Sequence, residues 1–174
     1  WYHKDRRLNV FACIDFAFSL RTKADSSSVV VIGVTSDSDI LILDIDRFKT
    51  DKISVYFQHI MDGYYKWGFK KIRAEVTVAQ QSIVRELKET YIKEAGAALK
   101  IEEYRPARNE GNKEERMAAT LEPRYDNLAM YHYKGGNCEL LEEELVMAHP
   151  PHDDIKDALT GAIDIATPPR QQGR

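Results

Sequence analysis

Three runs rich in Val, Ile and Phe, from Asn9 to Phe18, Val29 to Ser36 and Ile40 to Phe48, follow one another with only short polar clusters between them. Such runs favour strands. Connections as short as Lys23-Ala24-Asp25-Ser26-Ser27-Ser28 and Ser36-Asp37-Ser38-Asp39 join neighbouring strands in antiparallel order, so the chain starts as a meander. From Asp51 to Trp67 the period changes: Ile53, Phe57, Ile60, Met61 and Tyr64 recur at helical spacing, and Gly68 stands where a helix would stop. Lys71 to Val76 then reads as a strand, Ala79 to Ala98 as a long helix and Leu99 to Tyr104 as a further strand. A strand, helix and strand in this order form a crossover whose strands run parallel.

The remaining elements are a helix over Lys113 to Leu121, a short strand over Leu128 to Tyr133, a Gly135-Gly136 turn, a helix over Glu139 to Met147 and a final helix after Pro150-Pro151. The pattern predicts an α/β fold: a mixed sheet, made of a three-strand antiparallel meander plus parallel strands, with helices on both faces. A chain of 174 residues suits one core. The expected domain runs over 9–166, with 1–8 as a linker remnant and 167–174 as a flexible tail. The first residue is Trp1 rather than Met, which reads as a fragment: a domain excised from a longer polypeptide, or a chain trimmed at its termini.

With 43% hydrophobic and 30% charged residues, neither a disordered nor a membrane chain is indicated. The formal net charge of -3 gives no global case for nucleic-acid binding, though an acidic centre can mask basic rims in such a sum. The two cysteines, Cys13 and Cys138, show neither zinc spacing nor a disulfide framework, which suits a reducing compartment.

Chemistry is concentrated in acids that interrupt apolar segments. Asp15 shares a strand face with Phe11 and Cys13, where an ionised carboxylate is costly unless a base or a metal ion compensates it. Glu75 ends the first strand of the crossover, the end at which α/β sheets place their sites; a solvated strand end beside Lys71 and Arg73 is the plainer reading. Near the C-terminus, His152-Asp153-Asp154-Ile155-Lys156-Asp157-Ala158-Leu159 sets Asp154 and Asp157 one turn apart at a helix start. Acids favour a helix N-terminus for its dipole alone. Taken together, carboxylates from a first strand, a later strand end and a last helix suit Mg²⁺ or Mn²⁺ rather than zinc. Two such ions would serve phosphodiester hydrolysis.

Lys113 and Arg116, one helical turn apart, are the preferred phosphate contacts, followed by Arg108 in the preceding loop and by Arg21 and Lys23 after the first strand.

The pairing of Phe11-Ala12-Cys13-Ile14-Asp15-Phe16-Ala17 with Asp153-Asp154-Ile155-Lys156-Asp157-Ala158-Leu159, with Glu75 between them, resembles the RNase H-like, RuvC-type nuclease domain of the large terminase subunits of tailed bacteriophages. By element order the resemblance spans about Asn9 to Ala166. It implies a metal-dependent DNA endonuclease that cuts concatemeric viral DNA during packaging with little sequence preference. It further implies two Mg²⁺ or Mn²⁺ ions on Asp15, Glu75 and the last helix, with Asp154 the first choice there and Asp157 the second. Asp153 would be a cap or supporting group, and His152 would orient its neighbours. The implied partners are double-stranded DNA, an ATPase motor domain of the same polypeptide, and the small terminase subunit and portal, all in the host cell cytoplasm. No Gly-x-x-x-x-Gly-Lys-Ser/Thr occurs in this chain, so ATP hydrolysis is not expected of it. A RuvC-like junction resolvase and a non-catalytic docking module are the alternatives on the same scaffold.

Overall fold

Successive side chains of a strand point to opposite faces, and in the first long strand this alternation divides the core in two. The computed structural model describes residues 1–17, 26–77, 80–105, 112–147 and 150–170. After a small hairpin of β1 (Tyr2–His3) and β2 (Arg6–Arg7), the chain forms the meander β3 (Asn9–Asp15), β4 (Ser27–Val34) and β5 (Ile40–Phe48). Helix α1 (Ile53–Trp67) leads to β6 (Lys71–Glu75). Helix α2 (Gln81–Glu86), continued by a π-helical stretch over Leu87–Ile92, leads to β7 (Lys100–Tyr104). Helix α3 (Lys113–Asp126), β8 (Met130–Tyr131), α4 (Asn137–Val146) and α5 (Asp154–Asp164) complete the chain.

The six long-range strands form one mixed sheet in the order β7-β6-β3-β4-β5-β8. β3, β4 and β5 pair antiparallel, while β6, β7 and β8 each add in parallel. This is the expected architecture, helices on both faces included. Ala12, Ile14, Ile72 and Ala74 pack beneath α1 and α2, whereas Cys13, Val30, Ile32 and Ile42 pack beneath Leu121, Leu141, Leu159 and Ala162 of the other three helices. Asp15 therefore falls on the side of α3, α4 and α5.

Two local differences have clear causes. Residues 1–8, expected as a linker, fold back as a hairpin: Lys4 and Asp5 take positive φ at its turn, Trp1 packs on Trp67 and its indole N–H donates to the Trp67 carbonyl at 2.7 Å. That anchor joins residues 66 positions apart, which no local pattern announces. Thr167, expected at the start of the tail, is tied to the first long strand, the Asn9 side chain donating to its carbonyl at 3.0 Å. Among the described residues, no helix is long and apolar enough to cross a membrane.

Helix α5 lies unusually close to β3, and Gly161 permits it. A Cβ on Gly161 would stand 2.5 Å from Cys13 Sγ. Gly161→Ala is expected to cost about 1–3 kcal/mol by overpacking, read in a urea melt, with a smaller loss in a Cys13→Ala background. An equal loss in both backgrounds would mean that this contact does not set the spacing.

Candidate active site

Parallel pairing of β3 with β6 aligns Ile14 with Ala74, so the next residues, Asp15 and Glu75, emerge at the same end of neighbouring strands. Both belong to the face covered by α5. The close approach at Gly161 brings Asp157, one turn earlier on α5, over the same end of the sheet. Asp15, Glu75 and Asp157 line one narrow cleft together with Tyr104, Arg116 and Asp164. Its volume is about 30 Å³, close to one water's share of liquid.

The cleft is small because α3 fills it with positive charge. Asn112 and Glu115 form a reciprocal capping box, with the Glu115 N–H donating to Asn112 Oδ1 at 2.8 Å, and this fixes the first turn of α3. From that turn Lys113 Nζ reaches Asp153 and Asp157, each at 3.1 Å, while Arg116 lies 3.6 Å from Glu75 and over the Tyr104 ring. The ammonium thus occupies the place of a cation among carboxylates.

The electrostatics report crowding. Burial, then the charge of Asp157, pushes Asp15 up to about 8, against the opposing pull of Lys113. Glu75 is raised by burial and by Asp157, with Arg116 and Lys113 opposing. Asp157 is raised by burial, and Lys113 is the main force holding it down. For Lys113 itself burial works toward a lower value, yet Asp157, Asp15 and Asp153 together hold the ammonium above the usual lysine range. Burial raises all three carboxyl groups, Asp157 adds to the rise of the other two, and Lys113 and Arg116 offset only part of it.

The structure separates the two C-terminal acids expected to act together. Asp154, the first choice, is buried at 2% exposure, and Arg47 donates to both of its oxygens, from Nε at 2.8 Å and from Nη2 at 3.0 Å. Its carboxylate is committed to the β5 side of the helix, so the acid facing Asp15 and Glu75 is Asp157. Asp153 occupies the N-cap position of α5 without a side-chain cap bond, and pairs instead with Lys113. His152 is partly buried just ahead of the helix. Lys113 and Arg116, expected to meet phosphates, pair with the acids of the cleft. Arg21, Lys23 and Arg108 lie outside the described residues.

Three contributors were not anticipated. Tyr104, at the end of β7, forms the floor on which Arg73 and Arg116 rest, their guanidinium carbons 4.0 and 6.0 Å from the ring centre. Glu144 of α4 accepts the Lys156 N–H at 2.8 Å and so caps α5. Arg47 is the third, and a visible signal existed for it: Ile42 and Ile45 are both core residues on the α5 side, a spacing of three within a strand. That spacing marks a β-bulge at Leu43, where pairing jumps from Ile32↔Ile42 to Val31↔Asp44. The bulge turns Arg47 toward α5.

Neither a protein-family profile nor a curated protein sequence matches this chain. Solved structures do. The large terminase nuclease from thermophilic phage G20c superposes with a TM-score of 0.62 at 16% identity, covering 91% of this chain and 84% of that one. The fold is RNase H-like. The Fowlpox virus resolvase in complex with substrate Holliday junction DNA gives 0.54 at 10% identity over 88% of this chain and 96% of that one. Thermus thermophilus RuvC gives 0.51 at 13% identity over 88% and 91%.

Proposed function

We propose that this chain is a divalent-metal-dependent endonuclease that hydrolyses DNA phosphodiester bonds, and that it serves as the nuclease domain of a phage large terminase subunit. One observation carries the reading: Asp15, Glu75 and Asp157, from two strand ends and a helix, converge on a cleft lined by Arg73 and Arg116, with the Lys113 ammonium paired to Asp157 beside it. The similar fold of a phage terminase nuclease supports the choice within nucleases. In the full assembly the implied partners are an ATPase motor domain of the same polypeptide, the small terminase subunit and the portal.

The donor set fits Mg²⁺ or Mn²⁺. It consists of carboxylate oxygens, a cation already pairs with Asp157, and Asp15 and Asp157 are raised by burial and by neighbouring acids, a cost that added positive charge would offset. Asp15, Glu75 and Asp157 would hold the ions, two in number by the resemblance to terminase nucleases, with Asp153 beside them. Such ions lower the pKa of bound water and stabilise charge on the leaving oxygen. The remaining work falls to the chain. Arg116, braced on Tyr104, and Lys113 keep positive charge at the cleft where a backbone phosphate must lie, and Arg73, paired with Asp164 at 3.0 Å, stiffens its wall. Lys113 and the ions compete for Asp157.

That competition makes a prediction. In EDTA, Lys113→Met is expected to destabilise the protein by ~1–2 kcal/mol, because its partners lose their counter-charge in a partly exposed setting. The gain in Tm on adding Mn²⁺ should then exceed that of the wild type. An unchanged Mn²⁺ response would show that the ammonium and the ions do not share a place.

The function is tested with supercoiled plasmid, linear duplex and four-way junction, each with Mg²⁺, Mn²⁺ or EDTA, beside Asp157→Asn. Metal-dependent cutting of duplex that is lost in the variant supports the proposal. A strong preference for the junction would favour a resolvase, in keeping with the second similar structure. Absence of cutting together with absence of stabilisation by Mn²⁺ would leave a docking module.

A further inference from the structure

We propose that His132, Cys138 and Glu142 form a second metal site, selective for a borderline ion such as Zn²⁺ and separate from the acidic cleft. The sequence shows no paired-cysteine zinc spacing; the site is assembled by a turn. Gly135 and Gly136 take φ of 84° and 59°, which reverses the chain between β8 and α4. This returns His132 to the first turns of the helix. Cys138 and Glu142 are four residues apart and share one face of α4. The ligand atoms of the three side chains all lie within 4.8 Å of one another.

The donor chemistry separates this cluster from the cleft. Thiolate, imidazole and carboxylate together are a zinc set, whereas the oxygen-only cleft suits hard cations. Zinc ligands sit about 2.0–2.3 Å from the ion, so a side of the triangle near the 4.8 Å limit must shrink by roughly 1 Å on binding. Glu142 is free to supply that movement, its side chain being 53% exposed.

The surroundings are arranged as a ligating histidine requires. His132 Nδ1 lies 2.9 Å from Glu142 Oε1, and its Nε2 lies 2.8 Å from the Tyr125 hydroxyl. Without metal, an Nδ1–H donates to Glu142 and the Tyr125 hydroxyl donates to Nε2. With metal, Nδ1 turns its lone pair to the ion and Nε2–H donates to the same hydroxyl. A tyrosine hydroxyl serves both tautomers, and an outer partner of this kind is what orients metal-bound imidazoles. Burial raises the Cys138 thiol, with Glu142 adding to the effect, so without an ion the sulfur stays protonated. Tyr125, His132 and Glu142 also line a groove of about 430 Å³ between α3 and α4, which leaves room for water or an incoming side chain as fourth ligand.

Co²⁺ is the probe, because a cobalt–thiolate bond absorbs in the near ultraviolet, whereas the proposed ligands of the acidic cleft are carboxylates and the Cys13 sulfur at its wall can be removed separately. Titration of the full chain with Co²⁺, with Mg²⁺ in excess to saturate the cleft, should give one equivalent with a thiolate band that Zn²⁺ abolishes. The band should persist in Cys13→Ser and Asp15→Asn and vanish in Cys138→Ser. Since Cys138 is buried and its variant can fail to fold, Glu142→Gln supplies an independent test at an exposed position. It should weaken Co²⁺ binding by at least the ~10–100-fold that loss of an outer partner costs. Absence of a thiolate band in the wild type, a band that depends on Cys13, or unchanged affinity in Glu142→Gln would each overturn the site.

Discussion

Replacing Asp15 with Asn is expected to abolish metal-dependent cutting and, in EDTA at pH 8, to make the protein more stable than the wild type. The two effects share a cause. Asp15 is buried beside Asp157, and its carboxyl is raised from 3.8 to about 8, so ionisation opposes folding until cations compensate it. Between about pH 4 and pH 8 the folded chain holds a proton here that the unfolded chain has released. Stability from this group therefore falls as pH rises through that window and reaches its minimum above it. Asparagine removes the charge, so the Tm of the variant should vary less between pH 5 and pH 8. Even one pKa unit of the shift corresponds to about 1.4 kcal/mol, or roughly 3–6 °C in Tm for a domain of this size. Mn²⁺ should raise the Tm of the wild type and leave that of the variant nearly unmoved. A variant that still cuts in a metal-dependent way, or that melts below the wild type in EDTA at pH 8, would remove Asp15 from the centre of the site.

The same residue explains why part of the site was legible in the sequence. An acid at a position whose alternation puts it among Phe11 and Cys13 violates the pattern, and the violation is local, so it can be read without a structure. Glu75 was legible for a related reason, since the crossover unit fixes which end of its strand carries groups outward. The meander and the parallel strands were equally visible, because alternation, helical period and turn residues are all short-range. Other features depend on contacts far apart in sequence. The Trp1–Trp67 anchor turns an expected linker into a hairpin, and the α2 segment passes into a π-helical stretch at Leu87 although its apolar spacing reads as one regular helix. The choice between Asp154 and Asp157 was illegible for the same reason. Both lie on one face of α5, and the decision belongs to Arg47, more than 100 residues upstream, whose direction depends on the bulge at Leu43.

Arg47 therefore carries the second large prediction. Arg47→Ala is expected to destabilise the chain by about 3–5 kcal/mol, the cost of stripping the partner from a buried charge, and so to lower Tm by roughly 6–20 °C. Asp154 would be left at 2% exposure without its two-pronged partner, and its charge already disfavours ionisation of Glu144. Glu144 is raised to about 7 by burial, with the Lys156 N–H and Arg47 opposing and Asp154 adding to the rise. Loss of Arg47 lifts it further. A raised carboxyl loses stability as pH climbs from its unfolded value through its folded one, so the gap between wild type and variant should widen from pH 5 to pH 8. The comparison with Asp157 decides what the two acids do. In EDTA, Asp154→Ala should melt far below the wild type, because Arg47 loses its buried partner and the N-terminus of α5 loses its tie to β5. Asp157→Asn in EDTA should stay within a few degrees of the wild type, since it removes one of several crowded acids, yet it should lose metal-dependent cutting. The reverse result, a stable Asp154→Ala that no longer binds Mn²⁺ and an Asp157→Asn that still cuts, would return Asp154 to the metal and make the Arg47 pair a feature of the ion-free state alone.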